Sequence, residues 1–201
     1  MNEEQIKKAR EALPVTVGIS NRHIHLTIED FKILFGAEAE ETFHKPVKQP
    51  GQFACKEKVN LIGPRGPINE VRMLGPYRKQ TQVELSLADA RKLGVEAPIR
   101  DSGKLEGTPG LTIVGPKGTI ELKQGVIVAK RHIHFTPAEA EKFHVADGQD
   151  VSVVVGKGGP REAVYNKVLC RVRDDFALEM HVDIEEANAA CLKNDDKVYV
   201  L

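Results

Sequence analysis

The chain has 201 residues, of which 41% are hydrophobic, and its 29 basic and 29 acidic side chains cancel to a net charge of zero. A chain of this length forms one large domain or two small ones, and its apolar content is sufficient for a folded core. The lack of a basic excess argues against a nucleic-acid-binding protein, and no apolar run approaches the roughly 20 residues that span a membrane. We therefore expect a cytoplasmic protein with neither nucleic acid nor membrane as a partner.

The predicted elements begin with a short helix over residues 3–13 and an apolar strand that leads into the string RHIH at residues 22–25. The segment TIED at residues 27–30 approximates a capping box, so a helix begins directly afterwards. The same order returns in the second half, where an apolar run leads into RHIH at residues 131–134 and TPAE at residues 136–139 makes a fuller capping box. The chain therefore contains a duplicated module of strand, His-x-His pair and capped helix.

A weaker repeat relates residues 81–94 to residues 176–190, and each of these segments is typical of a strand followed by a helix. In the second segment, Asp183 with Glu186 forms another capping pattern. The alignment of the two segments pairs their polar residues as follows: Glu84 with Glu179, and Ser86 with His181. We interpret the two halves of the chain as duplicated modules whose polar residues have diverged.

Strand and turn sequences lie between the repeats. VNLIGPRG at residues 59–66 and LTIVGPKG at residues 111–118 share a Gly-Pro-basic-Gly turn between β-branched runs, which is typical of hairpins. Further short strands are predicted at residues 151–155, 167–172 and 196–200. Residues 101–110 form a loop by composition, either a flexible rim or a linker. Closely spaced strands with brief helices predict a mainly β fold of two small β-barrel domains, related by internal duplication, with short α-helices.

The three cysteines, Cys55, Cys170 and Cys191, are far apart and form no CxxC pair. The sequence therefore predicts neither a disulfide framework nor a thiolate zinc site, and it favours a reducing compartment. We expect each cysteine to be a small buried apolar residue.

Five of the seven histidines lie in the His-x-His pairs or at a strand end: His23, His25, His132, His134 and His181. Side chains at positions i and i+2 of a strand point to the same face, so a pair can approach one metal ion, or each histidine a different ion. Imidazole suits Zn, Cu, Fe or Ni, and the repetition favours a shared site with one or two ions, zinc being the first choice. Glu84 is the expected carboxylate ligand. Glu179 is either a second carboxylate ligand or a solvated strand residue, and the second interpretation is favoured. We expect His44 and His144 to lie at the surface, in helix-end or loop contexts.

Arg78 lies in the basic segment that leads directly to Glu84. An arginine beside a metal suits a phosphoryl or carboxylate oxygen; the alternative for Arg78 is an exposed charge. Arg22 and Arg131 precede the two histidine pairs. They either support the site from behind or pair with acidic residues elsewhere.

Six strings of this sequence together resemble the PduL-type phosphate acyltransferase family, the phosphate propanoyltransferases: SNRHIHL, QPGQFACKEKV, LGPYRKQTQVELS, GTPG, RHIHFTP and FALEMHVDIEEANAA. The likeness extends from about residue 14 to residue 201. The family interconverts acyl-CoA plus phosphate with acyl phosphate plus CoA, at a two-metal site, normally zinc, between two β-barrel domains. The resemblance therefore implies a phosphotransacylase that acts on a short-chain acyl-CoA, either propanoyl-CoA or acetyl-CoA.

The resemblance also implies roles for individual residues. It gives two zinc ions per chain, one bound by His23, His25 and Glu84 and the other by His132, His134 and His181. It makes Arg78 the catalytic, phosphate-binding arginine. The contacts to CoA that it implies are the following: Gly18, Ile19, Ser20, Lys45, Arg72 and Asn188.

The resemblance further implies a swapped domain layout. Residues 22–129 form the first barrel, residues 11–21 join residues 130–201 in the second, and residues 1–10 are an N-terminal extension. Members of the family in the bacterial microcompartments of propanediol degradation carry an amphipathic extension. Here the apolar stripe of Ile6, Ala9 and Leu13 fits either a short targeting helix or an ordinary start of the chain. A microcompartment location, with its shell or lumen enzymes as partners, and a homo-oligomer are therefore both left open.

Two other classes of function remain compatible with the residues. One is a zinc-dependent acyl-CoA thioesterase, in which water takes the place of phosphate as the nucleophile. The other is a non-catalytic module with structural metals.

Overall fold

The structure, a computed structural model, describes residues 3–201, apart from the side chains at positions 3, 7, 9 and 11. Backbone contacts divide this part of the chain into two units. The first unit consists of residues 3–20 and Lys130–Leu201, and the second of Asn21–Ala129. The chain therefore changes unit shortly before each RHIH string.

The described residues contain five helices: α1 (Glu3–Glu11), α2 (Ile28–Phe35), α3 (Leu87–Leu93), α4 (Pro137–Phe143) and α5 (Ile184–Ala189). The strands in the same part of the chain are β1 (Pro14–Ser20), β2 (His23–His25), β3 (Phe43–Pro46), β4 (Phe53–Gly63), β5 (Gly66–Gly75), β6 (Gln82–Glu84), β7 (Ile99–Arg100), β8 (Leu111–Val114), β9 (Thr119–Leu122), β10 (Val126–Ala129), β11 (His132–Phe135), β12 (Asp150–Val155), β13 (Ala163–Val172), β14 (Glu179–Asp183) and β15 (Lys197–Val200). The mainly β fold with short helices is thereby confirmed.

The first unit is a closed barrel with the strand order β1-β14-β11-β13-β12-β15. Strand β1 closes it, because it pairs in parallel with β14 and antiparallel with β15. Its apolar core includes Val17, Ile133, Phe135, Met180 and Val198, which are all fully buried. Each such side chain contributes about 1.5–3 kcal/mol when it leaves water.

The second unit is a curled half-barrel sheet with the strand order β7-β10-β6-β2-β5-β4-β8-β9, to which β3 is added by pairing with β4. The two predicted hairpins are present as β4 with β5 and as β8 with β9. The core of this unit includes Ile24, Phe31, Leu61, Met73 and Ile113, all fully buried.

The two units repeat one pattern of strand pairing around their histidine strands. In the second unit, β2 lies parallel to β5 and antiparallel to β6. In the first unit, β11 lies parallel to β13 and antiparallel to β14. Strands β10 and β1 are the parallel neighbours of β6 and β14, respectively. The internal duplication of the sequence is therefore also a duplication of sheet topology.

Helix caps fix the residue at which each of the short strands around the histidines gives way to a helix. The side chains of Thr27, Ser86, Thr136 and Asp183 each accept a hydrogen bond from the backbone N–H three residues later, at the starts of α2, α3, α4 and α5. Thr136 and Asp183 form complete capping boxes. Such a cap contributes about 1 kcal/mol, and the capping residue itself has extended backbone angles in all four cases.

Several expectations need correction or fall outside the description. The loop 101–110 is not a loose linker, because Leu105 and Thr108 are buried and the Thr108 hydroxyl accepts a hydrogen bond from the Gly125 N–H at 2.9 Å. Cys191 is exposed rather than buried, since it follows the end of α5 at a positive φ of 54°. The side chain of Ala9, predicted to share a face with Ile6 and Leu13, lies outside the described residues, as do Met1 and Asn2.

Candidate functional site

Among the described side chains, two groups of three could hold a metal ion, and each group lies within one unit. In the second unit the group consists of His23 and His25 on β2 and Glu84 on β6. The pairing of β2 with β6 places His23 directly opposite Glu84. The three ligand atoms lie within 4.8 Å of one another, and all three side chains are buried. Two imidazoles and one carboxylate therefore converge on one point.

The imidazole rings of this group are oriented by backbone carbonyls. Nδ1 of His23 donates to the carbonyl of Asn21 at 2.8 Å, and Nδ1 of His25 donates to the carbonyl of Leu74 at 3.1 Å. Because a carbonyl only accepts, Nε2 of each neutral ring keeps its lone pair. Those Nε2 atoms lie 3.4 Å and 3.9 Å, respectively, from the oxygens of Glu84.

The electrostatics of this group favour an ionised carboxylate. Burial acts to raise the pKa of Glu84, but the charge of His23 and its hydrogen bond to the carboxylate, together with the charge of Arg78, outweigh burial and hold that pKa well below its ordinary value. Burial and the charge of His23 hold the pKa of His25 well below its ordinary value, so this ring is neutral. The pKa of His23 is raised: burial opposes its charge, but the adjacent Glu84 outweighs burial. A carboxylate beside a neutral imidazole is a donor set that attracts a cation.

A hydrogen-bonded chain joins Arg78 to the ligand carboxylate through two residues that sequence analysis missed. Nη1 of Arg78 donates to the Ser102 hydroxyl at 3.1 Å, and that hydroxyl donates to Oε1 of Glu84 at 3.2 Å. Gln82 donates through Nε2 both to Oε1 of Glu84, at 2.5 Å, and to Ser102, at 2.8 Å. The N–H of Gly103 in turn holds the amide oxygen of Gln82 at 2.8 Å. Arg78 is half-buried beside the site and is not an exposed charge.

The group in the first unit consists of His132 and His134 on β11 and His181 on β14. Strand pairing places His132 opposite His181, and the ligand atoms again lie within 4.8 Å of one another. Nδ1 of His132 donates to the carbonyl of Lys130 at 2.8 Å, as His23 does to Asn21. Three imidazoles therefore converge in this unit.

His134 is the member of this group with an unsatisfied polar atom. Its Nδ1 is buried and has no hydrogen-bond partner among the residues that the structure describes. Burial, together with the charges of His132, His181 and two arginines, lowers the pKa of His134 far below its ordinary value, so the ring is neutral. A buried neutral ring with an unsatisfied nitrogen is costly in a protein interior. A metal ion held by the three rings would provide a favourable interaction that offsets the cost of burying them.

The favoured interpretation of Glu179 as a solvated strand residue is wrong. The residue is only 5% exposed and lies beside His181. Its Oε2 atom is 2.7 Å from Nε2 of His181. Strand pairing gives the reason: Glu179 lies on β14 opposite His134, on the side of the barrel that holds the histidines. The neighbouring strand makes room for it, because a Cβ atom at Gly18 would come within 2.8 Å of the Glu179 carboxyl group.

The register also corrects the alignment of the weaker repeat by two residues. Glu84 lies opposite His23, and the equivalent residue opposite His132 is His181. In the same way Gln82 lies opposite His25, and its equivalent is Glu179 opposite His134. The helix caps agree with this alignment, since Ser86 and Asp183 each lie two residues after the candidate ligand.

The residues implied as CoA contacts are distributed over both units. Gly18 lies opposite His181 in the strand pairing, and Ile19 and Ser20 follow it on β1. Arg72 lies opposite His23 and donates through Nη1 to the carbonyl of Cys55 at 2.6 Å. Two further ones are exposed: Lys45 on β3 and Asn188 on α5.

The remaining basic side chains do not join either group. His44 is exposed on β3, a strand rather than the expected loop or helix end, and His144 is exposed at the end of α4. Arg22 pairs with Asp89 at 3.4 Å, and Arg131 pairs with Glu186 at 2.9 Å.

Comparison with known proteins identifies the family of the chain. A sequence profile described as "Phosphate propanoyltransferase" matches residues 16–193. The chain belongs to the phosphate propanoyltransferase family. It is 54% identical over 187 residues to the Phosphate propanoyltransferase of Thermotoga maritima, covering 93% of this chain and 89% of the relative. It is 53% identical to that of Rhodopseudomonas palustris, covering 92% and 81%, and 49% identical to that of Citrobacter koseri, covering 91% and 86%.

Membership of this family makes the chain an enzyme, an acyltransferase. Among residues 3–201, none of the helices combines the length and the apolar composition that crossing a bilayer requires. The phosphate propanoyltransferase fold therefore consists here of a closed barrel and a half-barrel sheet, each of which carries one group of candidate ligands.

Proposed function

We propose that the chain is a phosphotransacylase that interconverts a short-chain acyl-CoA plus phosphate with acyl phosphate plus CoA, and that it binds two zinc ions. One ion is assigned to His23, His25 and Glu84, and the other to the three histidines of the first unit. The acyl group is propanoyl or acetyl. The observation that carries the proposal is the buried ligand group of the second unit, which is linked to Arg78 by hydrogen bonds through Ser102.

The donor sets support zinc. Two histidines with one glutamate, and three histidines, are both ligand sets of catalytic zinc sites, in which a fourth position is left for water or substrate. The rings fit such a role, because backbone carbonyls hold His23, His25 and His132 in the tautomer that leaves Nε2 free. When bound, the ions would polarise the thioester carbonyl and offset the negative charge of phosphate.

Arg78 binds phosphate in this proposal. A guanidinium offers parallel N–H donors to two phosphate oxygens, and the Ser102 hydroxyl restricts its position through the 3.1 Å hydrogen bond to Nη1. A phosphate oxygen then attacks the thioester carbon, the C–S bond breaks, and CoA leaves as a thiolate. A thiol with an ordinary pKa of about 8.5 needs little protonation to leave, so the chain needs no dedicated general acid.

The two buried cysteines take no part in this proposed chemistry. Cys55 and Cys170 are buried, and burial raises the pKa of each thiol to about 12. Thiols with so high a pKa carry almost no thiolate at neutral pH and are poor nucleophiles. The proposed transfer to phosphate is direct and requires no acyl-enzyme, and Cys191 belongs to neither ligand group.

The proposal includes the coenzyme contacts and the location of the protein. CoA contacts are assigned to Gly18, Ile19, Ser20, Lys45, Arg72 and Asn188. The cytoplasm, or the lumen of a bacterial microcompartment within it, is the assigned location. A homo-oligomer, shell proteins and lumen enzymes remain predicted partners.

Thiol release from propanoyl-CoA and acetyl-CoA, with and without phosphate, tests the proposed function on protein of measured metal content. We expect release that depends on phosphate and yields acyl phosphate. Release at the same rate without phosphate would instead identify a thioesterase. Absence of release from protein that contains metal would point to a non-catalytic module.

A further inference from the structure

Gln82 and Glu179 occupy equivalent positions in the two units. Each lies two residues before the candidate ligand of its strand, and each lies opposite the second histidine of a His-x-His pair. Both are almost completely buried, with 1% and 5% of the residue exposed. Because side chains two apart in a strand share a face, each is directed toward the same side of the sheet as the ligand that follows it.

Each of the two residues contacts that ligand. Nε2 of Gln82 donates to Oε1 of Glu84 at 2.5 Å, and Nε2 of His181 lies 2.7 Å from Oε2 of Glu179. The two units thus use complementary chemistry at equivalent positions. A carboxylate ligand has an amide donor as its neighbour, and an imidazole ligand has a carboxylate acceptor.

Each ligand group, taken with this neighbour, contains one carboxylate. In the second unit that carboxylate is Glu84, a candidate ligand itself. In the first unit the candidate ligands are three imidazoles, and the carboxylate of Glu179 is hydrogen-bonded to one of them. A buried carboxylate is costly unless it has a partner, so its placement beside His181 calls for a function.

We propose that Glu179 is a positioning residue for the metal group of His132, His134 and His181. It accepts a hydrogen bond from Nε2 of His181, which fixes the ring in one tautomer and leaves its second nitrogen with a lone pair for the ion. Through that hydrogen bond its negative charge makes the His181 ring a stronger donor to the ion. This inference rests on the proposed function, because it requires an ion in the first unit.

Gly18 gives independent support. A Cβ atom at this position would lie 2.8 Å from both Cδ and Oε1 of Glu179 and 3.1 Å from Cδ2 of His181. Such distances are below van der Waals contact, so any larger residue would displace the carboxylate or the ring. The absence of a side chain at position 18 therefore keeps Glu179 and His181 in contact.

Zinc titration of the full chain tests the inference. The protein is stripped of metal with a chelator and titrated with Zn²⁺ in competition with a chromophoric chelator. We expect the wild type to bind two ions. The isosteric Glu179→Gln should bind one of them about 10- to 100-fold more weakly, the usual effect of losing a residue that supports a ligand. The ion that Glu179→Gln retains should be lost when His23→Ala is added.

Two further variants separate positioning from general structure. Glu141→Gln removes the same charge from an exposed position on α4 and should leave both affinities unchanged. Gly18→Ala keeps the charge of Glu179 but crowds its carboxyl group, and it should weaken the same ion as Glu179→Gln. In a His181→Ala background, Glu179→Gln should produce no further loss, because a residue that acts through His181 has nothing left to orient.

The possible results of these titrations either support or contradict the role of Glu179. The inference is overturned if Glu179→Gln binds both ions as the wild type does, if both affinities fall equally, or if its effect persists in the His181→Ala background. Should Glu179→Gln fail to fold by circular dichroism, Gly18→Ala decides in its place. A wild type that binds fewer than two ions contradicts the proposed function as well as the inference. A wild type that binds two ions while Glu179→Gln is unaffected contradicts the inference alone.

Discussion

The guanidinium of Arg78 donates a hydrogen bond to the hydroxyl of Ser102, with 3.1 Å between Nη1 and Oγ. That hydroxyl in turn donates a hydrogen bond to the carboxylate of Glu84 at 3.2 Å. The arginine assigned to phosphate and the carboxylate assigned to zinc are therefore linked by hydrogen bonds through a single side chain, that of Ser102. A change at any member of this chain should affect how phosphate is held.

Arg78→Ala should raise the KM for phosphate and lower kcat/KM about 100- to 1000-fold, the scale of losing a charged donor that stabilises a developing negative charge. Arg78→Lys should recover only part of this, because an ammonium cannot bind two oxygens in a fixed fork. Initial rates of thiol release at varied phosphate concentrations provide the measurement. Arg161→Ala, at an exposed position, is the control. Unchanged phosphate kinetics in Arg78→Ala would remove the residue from this role.

Ser102→Ala should lower kcat/KM about 10-fold, because a hydrogen bond to a charged group contributes about 1.5–3 kcal/mol and Gln82 still contacts Glu84. The KM for phosphate should rise more than the KM for acyl-CoA, since the serine holds Arg78. The double variant Ser102→Ala with Arg78→Ala should be no worse than Arg78→Ala alone. If the two losses add fully, Ser102 acts independently of Arg78.

The three cysteines should react very differently with thiol reagents. Cys191 is exposed, whereas Cys55 and Cys170 are buried, with burial raising the pKa of each to about 12. A pH of 8 is about four units below the pKa of these two thiols, so they are almost wholly protonated and should not react. A chromogenic disulfide reagent should titrate one thiol per native chain and three in denaturant.

Cys191→Ser should abolish the labelling of native protein and leave phosphate-dependent turnover at the wild-type rate. Cys170→Ser, by contrast, changes a buried side chain of the barrel core and should lower stability rather than the intrinsic rate. Inactive Cys191→Ser protein of normal stability would show that a thiol takes part in the reaction.

The grouping of His23 with His25 follows from the sequence alone, because alternation along a strand places both rings on one face. Glu84 joins them only through the register between β2 and β6. Register depends on contacts between distant segments, which the short pattern around residue 84 does not encode. The sequence pattern therefore offered Glu84 only as a carboxylate near the histidines, and the resemblance to a known family assigned it to the group of His23 and His25.

Glu179 shows why the weaker repeat was aligned incorrectly. A strand has a side-chain period of two, so a shift by two residues leaves every apolar side chain on its original face. Apolar pattern alone cannot distinguish the two alignments. The caps Ser86 and Asp183 do distinguish them, because each begins its helix at a single residue. Aligning the caps first would have placed His181 with Glu84.

The loop 101–110 shows a different limit. Its glycines and prolines correctly predicted the absence of regular structure, yet Ser102 is in the network of Arg78 and Thr108 is buried. Composition reports the backbone conformation of such a segment but not the surface on which it packs.

Arg10 should hold α1 against the rest of the first unit. Its guanidinium donates to the carbonyls of Phe143, His144 and Leu201 at 2.7, 2.8 and 2.8 Å, respectively. Two of these carbonyls are at the end of α4, where no intrahelical donor remains for them. Arg10→Ala should therefore lower the free energy of unfolding by about 2 kcal/mol, on the scale of hydrogen bonds to a charged group. Urea unfolding followed by circular dichroism provides the measurement, and Lys8→Ala, exposed on the same helix, should have little effect. Equal stability of the two variants would mean that these three hydrogen bonds do not hold the helix in solution.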